Sequence, residues 1–353
     1  MTVFGTRPEV IKLAPFIKEL ENDPQFSSVV CASTQQRELQ NEAMALFNIK
    51  ADYDLDIMLD GQDLYHISEA ILHRMKEIIS VEQPNYIVVQ GDTTTAFMAA
   101  LSAFYSKIPV VHIEAGLRTG NLMNPYPEEA NRRLISMIAS LHMAPTAAAV
   151  ANLRQENIVN NVYNVGNTIV DAIGLVLNKP SDKASNTQIM ITVHRRENFG
   201  EALRNICQAI VTLAQNYSAF NFIWPVHPNP NIHDFVYANA SGVSNIHLCA
   251  PMSYAESINA INDSQLILSD SGGIQEEACI LGKNIVVLRD ETERPEIIQS
   301  GHGVLAGSDP RRIIKSVDAF INQNNGIYAK SHVYGAPGVA KRIADIIKDH
   351  HNL

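Results

Sequence analysis

The stretch Tyr86-Ile87-Val88-Val89-Gln90-Gly91-Asp92-Thr93-Thr94-Thr95-Ala96-Phe97 decides the fold. Its apolar run, Tyr86–Val89, is rich in β-branched residues and too short for a helix, so it predicts a buried strand. The run breaks at a Gly-Asp turn and passes into a segment of helical period, Thr93–Tyr105, and the pattern repeats with Pro109–Ile113 and Glu128–Ile138. Strand, crossover helix, strand is the unit of a parallel sheet covered by helices. Upstream, Ser28–Ala32 and then Leu39–Phe47 follow the same alternation. Downstream the pattern restarts with Ile189–Val193, Phe222–Trp224, Ile246–Leu248, Leu266–Leu268 and Ile285–Leu288, each before a helical segment. Between the two series, Asn178–Thr187 is polar, carries Pro and lacks apolar period, so it reads as a linker. The expectation is an α/β protein of two Rossmann-like domains, with ligand bound in a central cleft at the carboxyl ends of the strands.

Composition agrees with that division. The chain has 353 residues, 46% hydrophobic and 18% charged, which is longer than the ~250–300 residues at which single cores stop growing. A formal net charge of −10 disfavours nucleic acid and acidic lipid surfaces as partners. An anionic ligand must then meet a local cluster of cations or helix N-termini. Cys31, Cys207, Cys249 and Cys279 lie far apart, with no zinc-like spacing, and read as buried thiols of a reducing compartment. The start MTVFGTRPEV has no signal-peptide pattern and no apolar run reaches ~18 residues. A cytoplasmic location without membrane attachment is expected.

Polar residues just after strands point to the chemistry. Gly5-Thr6-Arg7-Pro8-Glu9, with Lys12 one turn on, offers backbone N–H groups and two cations to an anion, or simply a strand-to-helix turn with solvated charges. Asp92 follows one strand, Glu114 ends the next, and Glu128 opens the helix after it. Asp92 can cap its helix and Glu128 can answer a helix dipole. Three carboxyl groups on one rim also repel, which raises a pKa towards neutrality and suits proton transfer. A metal is the rival use, but D-x-D and His at ligand spacing are both missing from this group.

In the second series His194, beside Arg195 and Arg196, follows the first strand, and His227 lies in the proline-rich Pro225-Val226-His227-Pro228. Ser271-Gly272-Gly273 opens a helix in the manner of a pyrophosphate site. Glu277, one turn on, can accept from ribose hydroxyls, and Arg289 and Arg294 add positive charge after the following strand. Neither G-x-G-x-x-G nor a P-loop motif occurs, which disfavours dinucleotide and NTPase readings.

In order along the chain stand GTRPEVIKLAP (5–15), GDTTTAF (91–97), HIEAGLRTG (112–120), YPEEANRR (126–133), TVHRRENFG (192–200), PVHPNPN (225–231), SDSGGIQEEA (269–278) and RDETERPE (289–296). With these motifs the sequence closely resembles the non-hydrolysing UDP-N-acetylglucosamine 2-epimerases of bacteria over nearly its whole length. The resemblance implies a GT-B-like pair of Rossmann-like domains, 1–170 and 171–337, a C-terminal helix about 338–353 returning to the first, and a homodimer. It implies no metal and no nicotinamide cofactor. In such enzymes C2 of the sugar loses its proton as UDP leaves C1, 2-acetamidoglucal forms, and readdition with protonation of the other face gives UDP-N-acetylmannosamine for surface polysaccharide synthesis. By motif match Asp92, Glu114, Glu128 and His194 are the catalytic acids, bases and leaving-group stabilisers. Arg7, Lys12, Ser271, Gly272, Gly273, Glu277 and Arg294 match substrate-binding positions, and Gln35, Arg195 and His227 match second-site or sugar-nucleotide contacts.

Departures from the family pattern carry their own expectations. Many members begin a few residues earlier, so the first strand should be short. Members activated by a second UDP-N-acetylglucosamine tend to carry Gln-His-Arg-Gln or Gln-His-Arg-Glu where this chain has Gln35-Gln36-Arg37-Glu38, and an arginine near Ala70; hyperbolic kinetics are expected here. The family often places an aromatic near Ser257 to stack on uracil, a place Tyr254 is expected to take. The rivals are a hydrolysing 2-epimerase, a glycosyltransferase and a UDP-sugar-binding protein without chemistry. The GTRPE start opposes the first, the clustered carboxylates the second, and the intact Asp92, Glu114, Glu128 and His194 the third.

Overall fold

A computed structural model describes residues 1–35, 37–59, 61–177, 187–292, 294–322 and 332–351. Of the expected linker Asn178–Thr187 only Thr187 falls among them, and Gln36 and Glu293 also lie outside. The chain forms two compact units, one from Met1–Leu175 with Tyr334–Leu353 and one from Val176–Val333.

The first unit runs β1 (Thr2–Phe4), α1 (Arg7–Asn22), β2 (Val30–Ala32), α2 (Arg37–Leu46), β3 (Tyr53–Asp54), α3 (Leu64–Glu82), β4 (Ile87–Gln90), α4 (Thr94–Tyr105), β5 (Val110–Ile113), α5 (Glu128–Ile138), β6 (Leu141–Ala144), α6 (Ala147–Gln155), β7 (Val162–Asn164) and α7 (Ile169–Val176). The second runs β8 (Gln188–Thr192), α8 (Glu201–Asn216), β9 (Asn221–Pro225), α9 (Pro230–Ala240), β10 (Ile246–Cys249), α10 (Tyr254–Asp263), β11 (Leu266–Ser269), α11 (Gly272–Ile280), β12 (Asn284–Val287), α12 (Pro295–Gln299), β13 (Gly303–Leu305) and α13 (Pro310–Asn322). The last helix, α14 (Val339–His351), packs on α1 and buries Val339, Ile343 and Ile347. Its Lys348 reaches Asp23 at 2.7 Å.

Both sheets are wholly parallel. The seven-stranded sheet has the order β3-β2-β1-β4-β5-β6-β7 and the six-stranded sheet β10-β9-β8-β11-β12-β13. In each, the chain starts at the middle, winds outward to one edge, then crosses back and winds to the other. The direction reverses between β1 and β4 in the first sheet and between β8 and β11 in the second, and the carboxyl ends of strands at such a switch point form a crevice within the sheet. The strands there read as continuous apolar runs because helices cover both faces: β4, β5, β11 and β12 are buried at every position. Strand limits differ from the sequence expectation by a residue or two. β2 is shorter than Ser28–Ala32 because its ladder with β1 begins at the Val30 to Thr2 pair. Among the cysteines, all free, Cys249 is only half-buried, since it ends the edge strand β10.

Candidate active site

The switch point of the first sheet gathers the groups that follow β1, β4 and β5. The turn after β1 leaves no room for a side chain at Gly5, where a Cβ would lie 2.1 Å from Ser33 Oγ and 2.4 Å from Thr95 Oγ1. Glu9 organises that turn from inside α1. Its Oε2 accepts from the backbone N–H groups of Gly5 (3.0 Å) and Thr6 (2.8 Å) and from Thr6 Oγ1 (2.8 Å). Its Oε1 accepts from Thr93 Oγ1 at 2.8 Å, tying the β1 turn to the β4 turn. Burial pushes the Glu9 carboxyl up to about 7, against the pull of those four donors. Arg7 opens α1 half-buried, while Lys12 is buried one turn on and pairs with Glu114 Oε2.

Asp92 was open to a capping role by sequence, but the cap of α4 is Thr93, whose hydroxyl accepts from Ala96 N at 3.0 Å. Asp92 Oδ2 instead accepts from Arg132 Nε at 2.8 Å and Nη2 at 2.6 Å, and its backbone carbonyl accepts from Asn131 Nδ2 at 2.8 Å. Both donors sit on α5, the helix that Glu128 begins, and Arg132 lies one turn beyond Glu128 on the same face. Glu114 follows β5 directly, in register beside β4 through the Gln90 to Ile113 pair. Gln90 Nε2 donates to Glu114 Oε2 at 3.1 Å. Glu114 has φ 65°, a left-handed conformation that costs a non-glycine residue of order 1–3 kcal/mol. Beneath these residues His112 Nε2 meets the Gly91 carbonyl at 2.8 Å, and burial pushes that imidazole down to about 3, so it is a neutral donor.

The structure thus places Asp92 and Glu114 on turns after neighbouring strands, with Lys12 and Arg132 against them, and Glu128 at the start of the helix that carries Arg132. The expected mutual repulsion meets a different arrangement, because Asp92 and Glu114 each lie against a cation. Glu9, to which the sequence assigns no role, is a carboxyl that burial raises towards neutrality. Arg132 and Glu129 were missed in the same way. Glu129 is fully buried, and although burial opposes its charge, the Thr119 N–H, the Arg132 guanidinium and the Gly120 N–H hold it below the usual carboxylate range. The i to i+3 spacing of Glu129 and Arg132 was the available signal. Gln35 lies beside the first turn of α4, its side-chain oxygen accepting from Thr95 Oγ1 at 2.9 Å.

In the second unit the turns after β8 and β11 meet. Thr192 and Ser269 are cross-strand partners whose hydroxyls lie 2.6 Å apart. His194 Nδ1 lies 3.0 Å from Asp270 Oδ1, and its ring stacks on His227 with centroids 6.3 Å apart. Arg195 Nη1 lies 3.8 Å from Glu197 Oε1, to which Arg289 Nε donates at 3.1 Å; the Arg196 side chain lies outside the described residues. Ser271 is the N-cap of α11, its hydroxyl accepting from Ile274 N. Gly272 leaves its Cα bare for Arg294: a Cβ there would lie 2.6 Å from Nη1 and 2.9 Å from Cζ. Arg294 Nε donates to Glu276 Oε1 at 2.7 Å, so the guanidinium is held at the positive end of α11. Glu277 Oε1 lies 4.0 Å from the Cβ position of Gly273, on the same first turns. Tyr254, expected to meet a base, opens α10 and is only 5% exposed.

Among the described residues no helix is long and apolar enough to cross a membrane, and no group of three or more His, Cys, Asp or Glu is placed to hold a metal ion.

Comparison with known proteins then addresses the whole chain. The family model described as UDP-N-acetylglucosamine 2-epimerase matches residues 18–348. A UDP-N-acetylglucosamine 2-epimerase of Neisseria meningitidis serogroup A is 46% identical over 336 residues, covering 91% of this chain and 90% of the relative. One from Salmonella typhimurium is 41% identical, covering 99% and 97%. The crystal structure of the Neisseria meningitidis UDP-GlcNAc 2-epimerase bound to UDP-GlcNAc superposes with a TM-score of 0.92 at 43% identity, covering 99% of each chain. With its paired parallel sheets, its carboxylate rim and its capped Ser-Gly-Gly helix, the chain belongs to the UDP-N-acetylglucosamine 2-epimerase family.

Proposed function

We propose that the protein interconverts UDP-N-acetylglucosamine and UDP-N-acetylmannosamine without net hydrolysis. The single observation that supports this reading is that Asp92 and Glu114 follow neighbouring strands at one switch point, while a Ser-Gly-Gly helix N-terminus with Arg294 against it follows a strand at the other. A carboxylate among Asp92, Glu114 and Glu128 takes the proton from C2 while the C1–O bond breaks and UDP departs with its electron pair. The product is 2-acetamidoglucal. UDP then adds back to C1 as a second group of the set delivers a proton to the opposite face of C2. An acid and a base in one site suit such a two-face exchange.

Arg7 and Lys12 bind the diphosphate and sugar. Ser271, Gly272 and Gly273 present N–H groups to the diphosphate at the α11 N-terminus, with Arg294 adding charge and Glu277 accepting from the ribose hydroxyls. His194 stabilises the leaving diphosphate, and Arg195, His227 and Gln35 are second-site or sugar-nucleotide contacts. The elimination and readdition involve no hydride transfer, and the groups named supply every proton moved. The free thiols fit a cytoplasmic enzyme.

A homodimer accompanies this reading. Phe104 and Tyr105 on α4 and Leu134 and Met137 on α5 are 46–73% exposed on two helices that pack side by side, an apolar face suited to a second copy.

Incubation with UDP-N-acetylglucosamine in D₂O, followed by proton NMR, tests the function. Appearance of UDP-N-acetylmannosamine with deuterium at C2 and no free sugar is the expected result. Accumulation of free N-acetylmannosamine and UDP assigns the hydrolysing reaction instead, and UDP binding without turnover leaves a binding protein or another UDP-sugar enzyme.

A further inference from the structure

In the second unit one carboxylate divides its two oxygens between different tasks. Asp270 is fully buried. Its Oδ2 accepts from the backbone N–H groups of His194 at 3.0 Å and Arg195 at 2.9 Å and from Asn198 Nδ2 at 2.9 Å. Those contacts fix the turn. Its Oδ1 also takes a longer contact of 3.2 Å from His194 N, but its side-chain partner is His194 Nδ1 at 3.0 Å. Burial opposes the charge, yet the His194 side chain, the Arg195 N–H and Asn198 hold the carboxyl below its usual range, so it accepts and does not donate.

We propose that Asp270 is a positioning residue: it holds the Nδ1–H edge of His194 inward, so that the protonated ring donates from Nε2 to the leaving diphosphate. The inference rests on the reading of His194 as a leaving-group residue. An acceptor-only partner selects the protonated nitrogen of an imidazole, and the other nitrogen then faces outward. The His194 side chain is 41% exposed, so the ring is anchored at one edge and accessible at the other. The groups that flank it are His227, stacked with planes 25° apart, and the neighbouring Arg195 and Glu197 pair.

The isosteric variant makes the idea testable. In Asp270→Asn the three donors at the Oδ2 position demand an oxygen there, which turns the amide NH₂ towards His194 Nδ1. In the neutral ring that nitrogen must then accept and the proton moves to Nε2, while an imidazolium, which needs an acceptor at Nδ1, is disfavoured. Loss of orientation and tautomer in a comparable pair costs several orders of magnitude in turnover. The expected result is a fall in kcat of ~10²-fold or more with UDP affinity within about threefold of wild type. Long-range ¹H–¹⁵N spectra of histidine-labelled protein at a pH where the ring is neutral, with His194 assigned by its loss in His194→Gln, should show Nδ1–H in the wild type and Nε2–H in Asp270→Asn. Placed in the His194→Gln background, the Asp270 change should lower kcat no further. A wild-type ring protonated at Nε2, or an undiminished penalty in that background, overturns the proposal. Unchanged kcat in His194→Gln alone removes the leaving-group reading of His194, while the wild-type spectrum, which requires no variant, still decides the role of Asp270.

Discussion

Asp92 commits one carboxylate oxygen to the Arg132 guanidinium, and its side chain keeps 24% exposure. Asparagine can preserve the ion-dipole contact to Arg132 but cannot carry a proton. Asp92→Asn should therefore lower turnover by ~10²-fold or more while UDP titration calorimetry finds nearly unchanged affinity. Glu9 has the opposite character, a carboxyl spent wholly on holding two turns together. Its pKa is about 7 in the fold against an ordinary 4.5, so between those values the native chain binds more protons than the unfolded one and stability falls as pH rises. Glu9→Gln keeps the acceptor for Gly5 and Thr6 and can donate to Thr93. Melting curves from pH 4.5 to 7 should lose that part of the downward slope, on the order of 3 kcal/mol in the wild type. A slope identical in the two proteins would place the titration elsewhere.

At the scale of elements, α11 is the helix whose N-terminus the proposed function assigns to the diphosphate. Its positive end is shared among the Ser271 cap, the bare Cα of Gly272 and the guanidinium of Arg294 anchored on Glu276. Gly272→Ala puts a methyl group where Arg294 rests, and the stiff Glu276 pair leaves the arginine little freedom to withdraw. The expected outcome is a folded protein with UDP affinity reduced ~10-fold or more, about 1.4 kcal/mol, measured by calorimetry. Unaltered affinity would mean that Arg294 does not serve the nucleotide. α5 plays the corresponding part in the first unit: its first residue is Glu128, and Asn131 and Arg132, one turn later, hold the Asp92 turn.

For the whole molecule the apolar face on α4 and α5 carries a prediction about assembly. Met137 is 73% exposed and Tyr105 71%. Met137→Glu places a charge in that face and should convert a dimer into a monomer by light scattering, with a melting temperature that no longer depends on protein concentration. A wild-type protein that is monomeric at micromolar concentration would refute the homodimer.

The alternation of short β-branched runs with helical segments determined the α/β class and both series of strands, because period and length are local properties of the chain. Local too was the position of Asp92, Glu114, His194 and Ser271 just beyond strands, since a strand and its following turn are contiguous in sequence. Partnership was not local. That Glu114 meets Lys12, Asp92 meets Arg132 and His194 meets Asp270 depended on which strands became neighbours, and the order of strands follows from how helices cover the sheet. The roles of Glu9 and Asp270 were hidden for the same reason: each is a carboxylate whose donors arrive from turns up to 84 residues away. Tertiary structure alone decided that Thr93 rather than Asp92 caps α4 and that Tyr254 is enclosed, because burial and the competition among donors exist only once the sheets have formed.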